Sequence, residues 1–142
     1  MQAIEWFRTF TFPKTSEHLG PVKMSVTMVN AGSQHNVVPA SCTFVVDVRT
    51  TDVYTNQEVL DIIRQHVDLD IRPRSTRLNP STISLDHPIV QSGLQLGSVT
   101  YGSPTMSDQA LLPVPSLKVG PGDSARSHAA DEFIFTDEID RG

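Results

Sequence analysis

A chain of 142 residues has room for one ordinary domain or for two small pieces of a larger one. An apolar fraction of 38% against 19% charged residues excludes a disordered tail, and a net charge of −5 with scattered basic residues leaves no footprint for nucleic acid. No uninterrupted run of about 20 apolar residues offers a membrane span, no charged start leads into an apolar signal region, and the lone Cys42 has no partner for an internal disulfide; the default expectation is a reducing, cytoplasmic setting.

In chain order, Ala3, Ile4, Phe7 and Phe10 recur at spacings of three and four and predict the end of an amphipathic helix closed by Pro13. This helix opens at the first residue with no N-cap before it. Val22, Met24, Val26 and Met28 alternate with polar residues, as do Cys42, Phe44, Val46 and Val48, and each set predicts a strand with one buried face. The turn-rich stretch 30–39 between them makes an antiparallel pair with a wide loop the simplest arrangement.

Thr55-Asn-Gln-Glu58 is a capping box, and the helix behind it carries Val59, Leu60, Ile62, Ile63 and Val67 on one face. Residues 69–78 read as a weak edge strand, since Pro73 removes a ladder donor, and the run from Arg72 to Arg77 is the one basic cluster, read as a solvated edge. Helix, strand, strand, helix, strand is most of a βαββαβ unit without its first strand. After a linker at Asn79-Pro80, Pro88 suits the first turn of a helix ending near Gly97. A turn at Ser107–Leu112, a brief strand around Leu117–Val119, a glycine turn at 120–122, and a helix with Thr136 as N-cap follow. Both chain ends are expected to fall inside helices.

The chemistry concentrates in Gly120-Pro-Gly-Asp-Ser-Ala-Arg-Ser-His128-Ala-Ala-Asp-Glu132. It is neither a phosphate loop nor a nucleophile elbow. On chemistry alone His128 is either a surface or capping histidine or one metal ligand, and zinc needs three or four. Arg49, at a strand end beside a polar loop, either grips a carboxylate bidentately or pairs with Asp47 or Asp52. Asn36 is by default a turn residue. Cys42, in its alternating run, reads as an inert strand thiol.

Asn36-Val-Val-Pro39, then Phe44–Arg49, Ser107-Asp108, Gly120-Pro-Gly, Arg126-Ser-His128 and Asp131-Glu132 occur in an order that resembles the zinc exopeptidase family of acetylornithine deacetylase, succinyl-diaminopimelate desuccinylase and aminoacylase. The resemblance runs essentially end to end and is nearest to acetylornithine deacetylase-like members. It implies an α+β architecture: residues 1–80 as an incomplete βαββαβ lid that dimerises, lacking its first strand, and residues 81–142 as the C-terminal α/β segment of the catalytic domain, cut in its last helix.

By the same resemblance His128 is the metal ligand contributed after the lid. Arg49 holds the substrate carboxylate, and Asn36 reaches the site of the dimer partner. Gly120 and Gly122 line the substrate pocket with backbone groups, and Ser107 and Asp108 form the turn near it. The implied ion is zinc, with cobalt or manganese as substitutes, in a two-metal site; the implied substrate is an N-acyl amino acid hydrolysed by activated water with a glutamate as base. The family's remaining ligands and its Glu-Glu pair are expected upstream of Met1. The chain alone is therefore expected to hold no metal and to be inert. A non-enzymatic dimerisation or small-ligand-binding module is the alternative, and a decayed gene product a third reading.

Overall fold

The computed structural model of the chain describes residues 2–127 and 129–141. They divide into two compact units, 1–80 and 81–142.

In the first unit the apolar spacing of the N-terminal segment yields α1 (Gln2–Thr9), which buries Phe7. The helix ends at Thr9, before Pro13; the Phe10 N–H still bonds the Trp6 carbonyl at 2.9 Å. The chain then makes a small antiparallel hairpin of β1 (Thr15–Ser16) and β2 (Gly20–Pro21), which no apolar period announces. Buried Ser16 organises its turn: Oγ accepts from the N–H groups of His18 and Leu19, and Gly20 takes a positive φ of 74°.

The expected antiparallel pair is present as β3 (Lys23–Ala31) and β4 (Cys42–Arg49). Their register pairs Met24 with Val48 and Val26 with Val46, then breaks: Met28 faces Val45 and Val29 faces Phe44. One extra residue, Thr27, is accommodated in a bulge. Since side chains alternate with a period of two, that insertion transfers Met28 from the buried face to the outer one. The expectation of a buried Met28 is thus corrected, and it stands 68% exposed. Cys42 is likewise exposed, because it lies at the far end of the ladder beyond the helices.

α2 (Asn56–His66) starts on the capping box: the Thr55 hydroxyl accepts from the Glu58 N–H, and the Glu58 carboxylate accepts from the Thr55 N–H at 2.7 Å. A cap of this kind stabilises a helix by about 1 kcal/mol. Val59, Leu60 and Ile63 are buried on its inner face. Of these, Val59 and Ile63 join Phe7, Phe12, Val22 and Tyr54 in the core, with Met24, Val26, Phe44, Val46 and Val48 packed alongside. Edge-to-face ring pairs link Phe7 to Phe44 and Phe12 to both Phe10 and Tyr54.

Residues 69–78 form no strand. Pro73 withholds a donor, and Arg72 turns its guanidinium to Asp70 at 2.6 Å. The segment is instead held to the start of α2, where the Asn56 N–H donates to Asn79 Oδ1 and the Asn56 side chain donates to the Leu78 carbonyl. The unit is therefore a small mixed helix-and-sheet fold with two antiparallel two-stranded sheets, and the last strand of the expected βαββαβ order is absent among the described residues.

In the second unit α3 (Pro88–Gln95) has Pro88 in its first turn, and His87 Nδ1 accepts from the Ile89 N–H. It closes with a Schellman pair, Ser98 N–H to the Gly93 carbonyl and Gly97 N–H to the Leu94 carbonyl, with Gly97 at φ 89°. A 3₁₀ turn at Asp108–Leu111 occupies the expected position. Residues 117–119 form no strand, since no described strand of this unit offers them a ladder. α4 (Thr136–Arg141) begins on Thr136 rather than after it: Glu138 reaches back to the Phe135 N–H, so Phe135 takes the cap position assigned to Thr136.

Candidate functional site

Of the residues singled out from the sequence, Asn36 and Arg49 belong to the first unit. Asn36 is exposed in the loop between β3 and β4. Around it the loop walls a shallow hollow between Gly32 and Ser41, with Val37, Val38 and Pro39 on its sides. Arg49 closes β4 on the outer face, 73% exposed, and its Nε donates to Asp47 Oδ2 at 2.7 Å. Of the two readings open for Arg49, this is the pair with Asp47; its remaining donors face solvent and are free to take a carboxylate.

The other singled-out residues belong to the second unit. Ser107 is half-buried and precedes the 3₁₀ turn without capping it through its side chain, and Asp108 is exposed. The glycines differ. A side chain at Gly120 would meet nothing within 4 Å, whereas Gly122 sits at φ 86° with Ile134 Cδ1 3.2 Å from where its Cβ would lie. Asp123 then caps the 3₁₀ turn Ser124–Arg126 by accepting from the Ala125 N–H at 2.8 Å. His128 lies outside the described residues.

A cluster that sequence reasoning did not assemble fixes this segment. Arg126, 18% exposed, donates through Nη2 to Glu138 Oε1 at 2.6 Å. Its guanidinium lies 5.0 Å from the Phe133 ring centre and 5.2 Å from that of Phe135, while Nε is buried with no hydrogen-bond partner among the described residues. Glu138 divides its oxygens between Arg126 and the Phe135 N–H. The one sequence signal was the aromatic doublet Phe133-Ile-Phe135 between a cation and a carboxylate.

The bond from Arg126, followed by that from the Phe135 N–H, holds the Glu138 carboxyl below its ordinary value of 4.5, and Glu138 in turn raises Arg126. A carboxyl depressed on folding contributes stability above its unfolded value and loses it as pH falls through the folded value. The Phe135 amide should therefore keep its exchange protection down to about pH 4.5 and lose it only below, once exchange is corrected for its intrinsic pH dependence. A protection factor that stays flat throughout acid titration contradicts the assignment.

Among the described residues no group of three His, Cys, Asp or Glu side chains is placed to hold a metal ion. His66-Val67-Asp68 places a histidine and a carboxylate at a spacing that could suit two metal ligands. There His66 is stacked against Trp6 at 5.6 Å, and its Nδ1 lies 2.8 Å from the Ile62 carbonyl. The described residues do not fit a metal centre.

The fold and surface define a helix-backed hairpin module, followed by a second unit carrying a glycine turn held beside an arginine–carboxylate pair. The model of the M20 peptidase dimerisation domain matches residues 1–73, just over half of the chain. The chain belongs to this family, whose peptidases are hydrolases, generally metal-dependent, and whose dimerisation domain forms homodimers. No curated protein matches the chain.

Proposed function

We propose that the chain is part of a metal-dependent N-acyl-amino-acid deacylase of the acetylornithine deacetylase type, with residues 1–80 as its dimerising lid and residues 81–142 as the segment that returns to the catalytic domain. The observation that carries the reading is the dimerisation-domain match over residues 1–73. The character of the second unit supports it. Val90 is its one buried apolar residue among those described, while Leu96, Val99, Val119 and Phe135 stand more than half exposed, as expected of a segment meant to pack on further structure.

In this reading Arg49 takes the substrate carboxylate, Asn36 contacts substrate across the dimer, and the backbone at Gly120 and Gly122 lines the pocket beside Ser107. His128 is the one zinc ligand of the segment, with cobalt or manganese able to replace zinc, and the working compartment is the cytoplasm. The isolated chain neither retains metal nor turns over substrate. The competing reading, a binding or dimerisation module without chemistry, draws on the absence of a metal-ligating group among the described residues.

The test compares two proteins. The purified 142-residue chain with Zn²⁺ should leave N-acetylornithine intact, and the longer polypeptide that the reading requires should hydrolyse N-acyl amino acids. In the latter, Arg49→Ala should raise KM about 10-fold or more with a smaller change in kcat, as removal of a charge-assisted contact to the substrate predicts. Turnover by the 142-residue chain, or an unchanged KM in the variant, refutes the assignment.

A further inference from the structure

The register of β3 and β4 sets two cations face to face. Lys23 pairs with Arg49 at one end of the ladder, and the next pair on the same face is Ser25 with Asp47. Between them Met24 and Val48 turn inward and pack against the core. The side chains of Lys23 and Arg49 therefore leave the opposite face, where both residues are exposed. Directly opposed residues of an antiparallel pair hold their Cβ atoms about 4.5–5.5 Å apart, and like charges there repel. The repulsion is relieved only in part. Asp47 takes Arg49 Nε at 2.7 Å, but among the described residues no carboxylate pairs with the Lys23 ammonium. Two cations against one carboxylate leave this patch with one positive charge in excess.

The bond to Asp47 also decides how Arg49 can be used. With Nε taken, the guanidinium offers its two Nη groups, and a planar fork anchored at Nε presents them along one edge. A carboxylate gripped by that edge keeps open acceptor positions, since its two oxygens accept about four hydrogen bonds. An ammonium on a flexible four-carbon stem, rooted directly across the ladder, can take one of them. A carboxylate held there cancels the excess charge, and the repulsion between Lys23 and Arg49 gives way to the attraction of both for a shared anion.

We propose that Lys23 is the second cation of the carboxylate site, so that the α-carboxylate of an N-acyl amino acid is held between the Arg49 fork and the Lys23 ammonium. The inference rests on the deacylase reading above, in which Arg49 takes that carboxylate. It adds a residue that sets the preference for a free acid over a neutral carboxamide.

Steady-state kinetics of the longer polypeptide test it with two substrates, N-acetylornithine and the same compound with its carboxylate converted to a primary carboxamide. Lys23→Gln should raise KM for the acid about 10-fold and leave KM for the carboxamide within about 2-fold of wild type, with a smaller change in kcat. Both substrates are read on one preparation, so a loss of folded protein would lower both kcat values and leave the ratio of the two KM values where it was. A rise in KM that falls equally on acid and carboxamide overturns the role of Lys23 while the deacylase reading stands. So does an unchanged KM for the acid in Lys23→Gln beside a raised one in Arg49→Ala. A longer polypeptide that hydrolyses neither substrate, or one whose KM for the acid Arg49→Ala does not move, overturns both.

Discussion

Phe12→Ala should unfold most of the first unit's margin of stability. Phe12 is the most deeply buried side chain described, 2% exposed, and its ring meets Phe10 and Tyr54 edge-on at 5.0 and 5.7 Å. It also seats the segment that joins α1 to the rest: the neighbouring Lys14 N–H donates to the Tyr54 hydroxyl at 2.9 Å, and the Lys14 ammonium lies 4.9 Å from the centre of the Tyr54 ring. Truncating a buried phenylalanine costs about 3–5 kcal/mol, because the transfer energy is lost and the cavity closes only in part. A unit of this size has about 4–12 kcal/mol in all. The single tryptophan of the chain, Trp6, packs on Phe7 and Phe10 beside this position, so its fluorescence reports this unit alone. The unfolding midpoint should fall by at least about 12 °C. A fall of less than about 4 °C would show that the ring is not the keystone of the cluster.

What the sequence disclosed and what it hid follow one physical division. Features written in local chemistry were legible: the Thr55–Glu58 capping box, Pro88 at the start of α3 with Gly97 past its end, and the alternation that makes β3 and β4 an antiparallel pair. Features decided by what lies across from a residue were not. Residues 69–78 and 117–119 have some strand character, but a strand exists only where a neighbour supplies a ladder. The apolar doublets Met28-Val29 and Val45-Val46, which interrupt strict alternation, are the visible trace of the Thr27 bulge, but a period of two alone does not say which strand carries the extra residue. For the candidate site, a pair of Arg49 with Asp47 or Asp52 is legible beside the carboxylate grip, and the bond to Asp47 forms because both lie on one strand face. Arg126 and Glu138 stand twelve residues apart, beyond the reach of any local pattern.

Gly122→Val should disrupt the glycine turn, and Gly120→Ala should not. The resemblance assigns both glycines to one substrate-lining role, yet the backbone treats them differently. Gly122 holds φ at 86°, a region that costs an L-residue about 1–2 kcal/mol and a β-branched one more. A side chain there would also press on Ile134, whose Cγ1 and Cδ1 lie 3.3 and 3.2 Å from the Cβ position, with Arg126 Nη2 at 3.7 Å. Relief by moving Ile134 would draw on its neighbours Phe133 and Phe135, the two rings that flank the guanidinium. The turn therefore has to open. A cost of at least about 2 kcal/mol raises the open population about 30-fold, and the Arg126 and Ser127 amides, bonded to Asp123 and Ser124 carbonyls, should exchange faster by that factor. At Gly120 the added methyl group meets nothing within 4 Å, so exchange at the same amides should stay within about 2-fold of wild type. Equal effects from the two substitutions would mean that the turn is held by something other than the left-handed backbone at Gly122 and the Ile134 side chain against it.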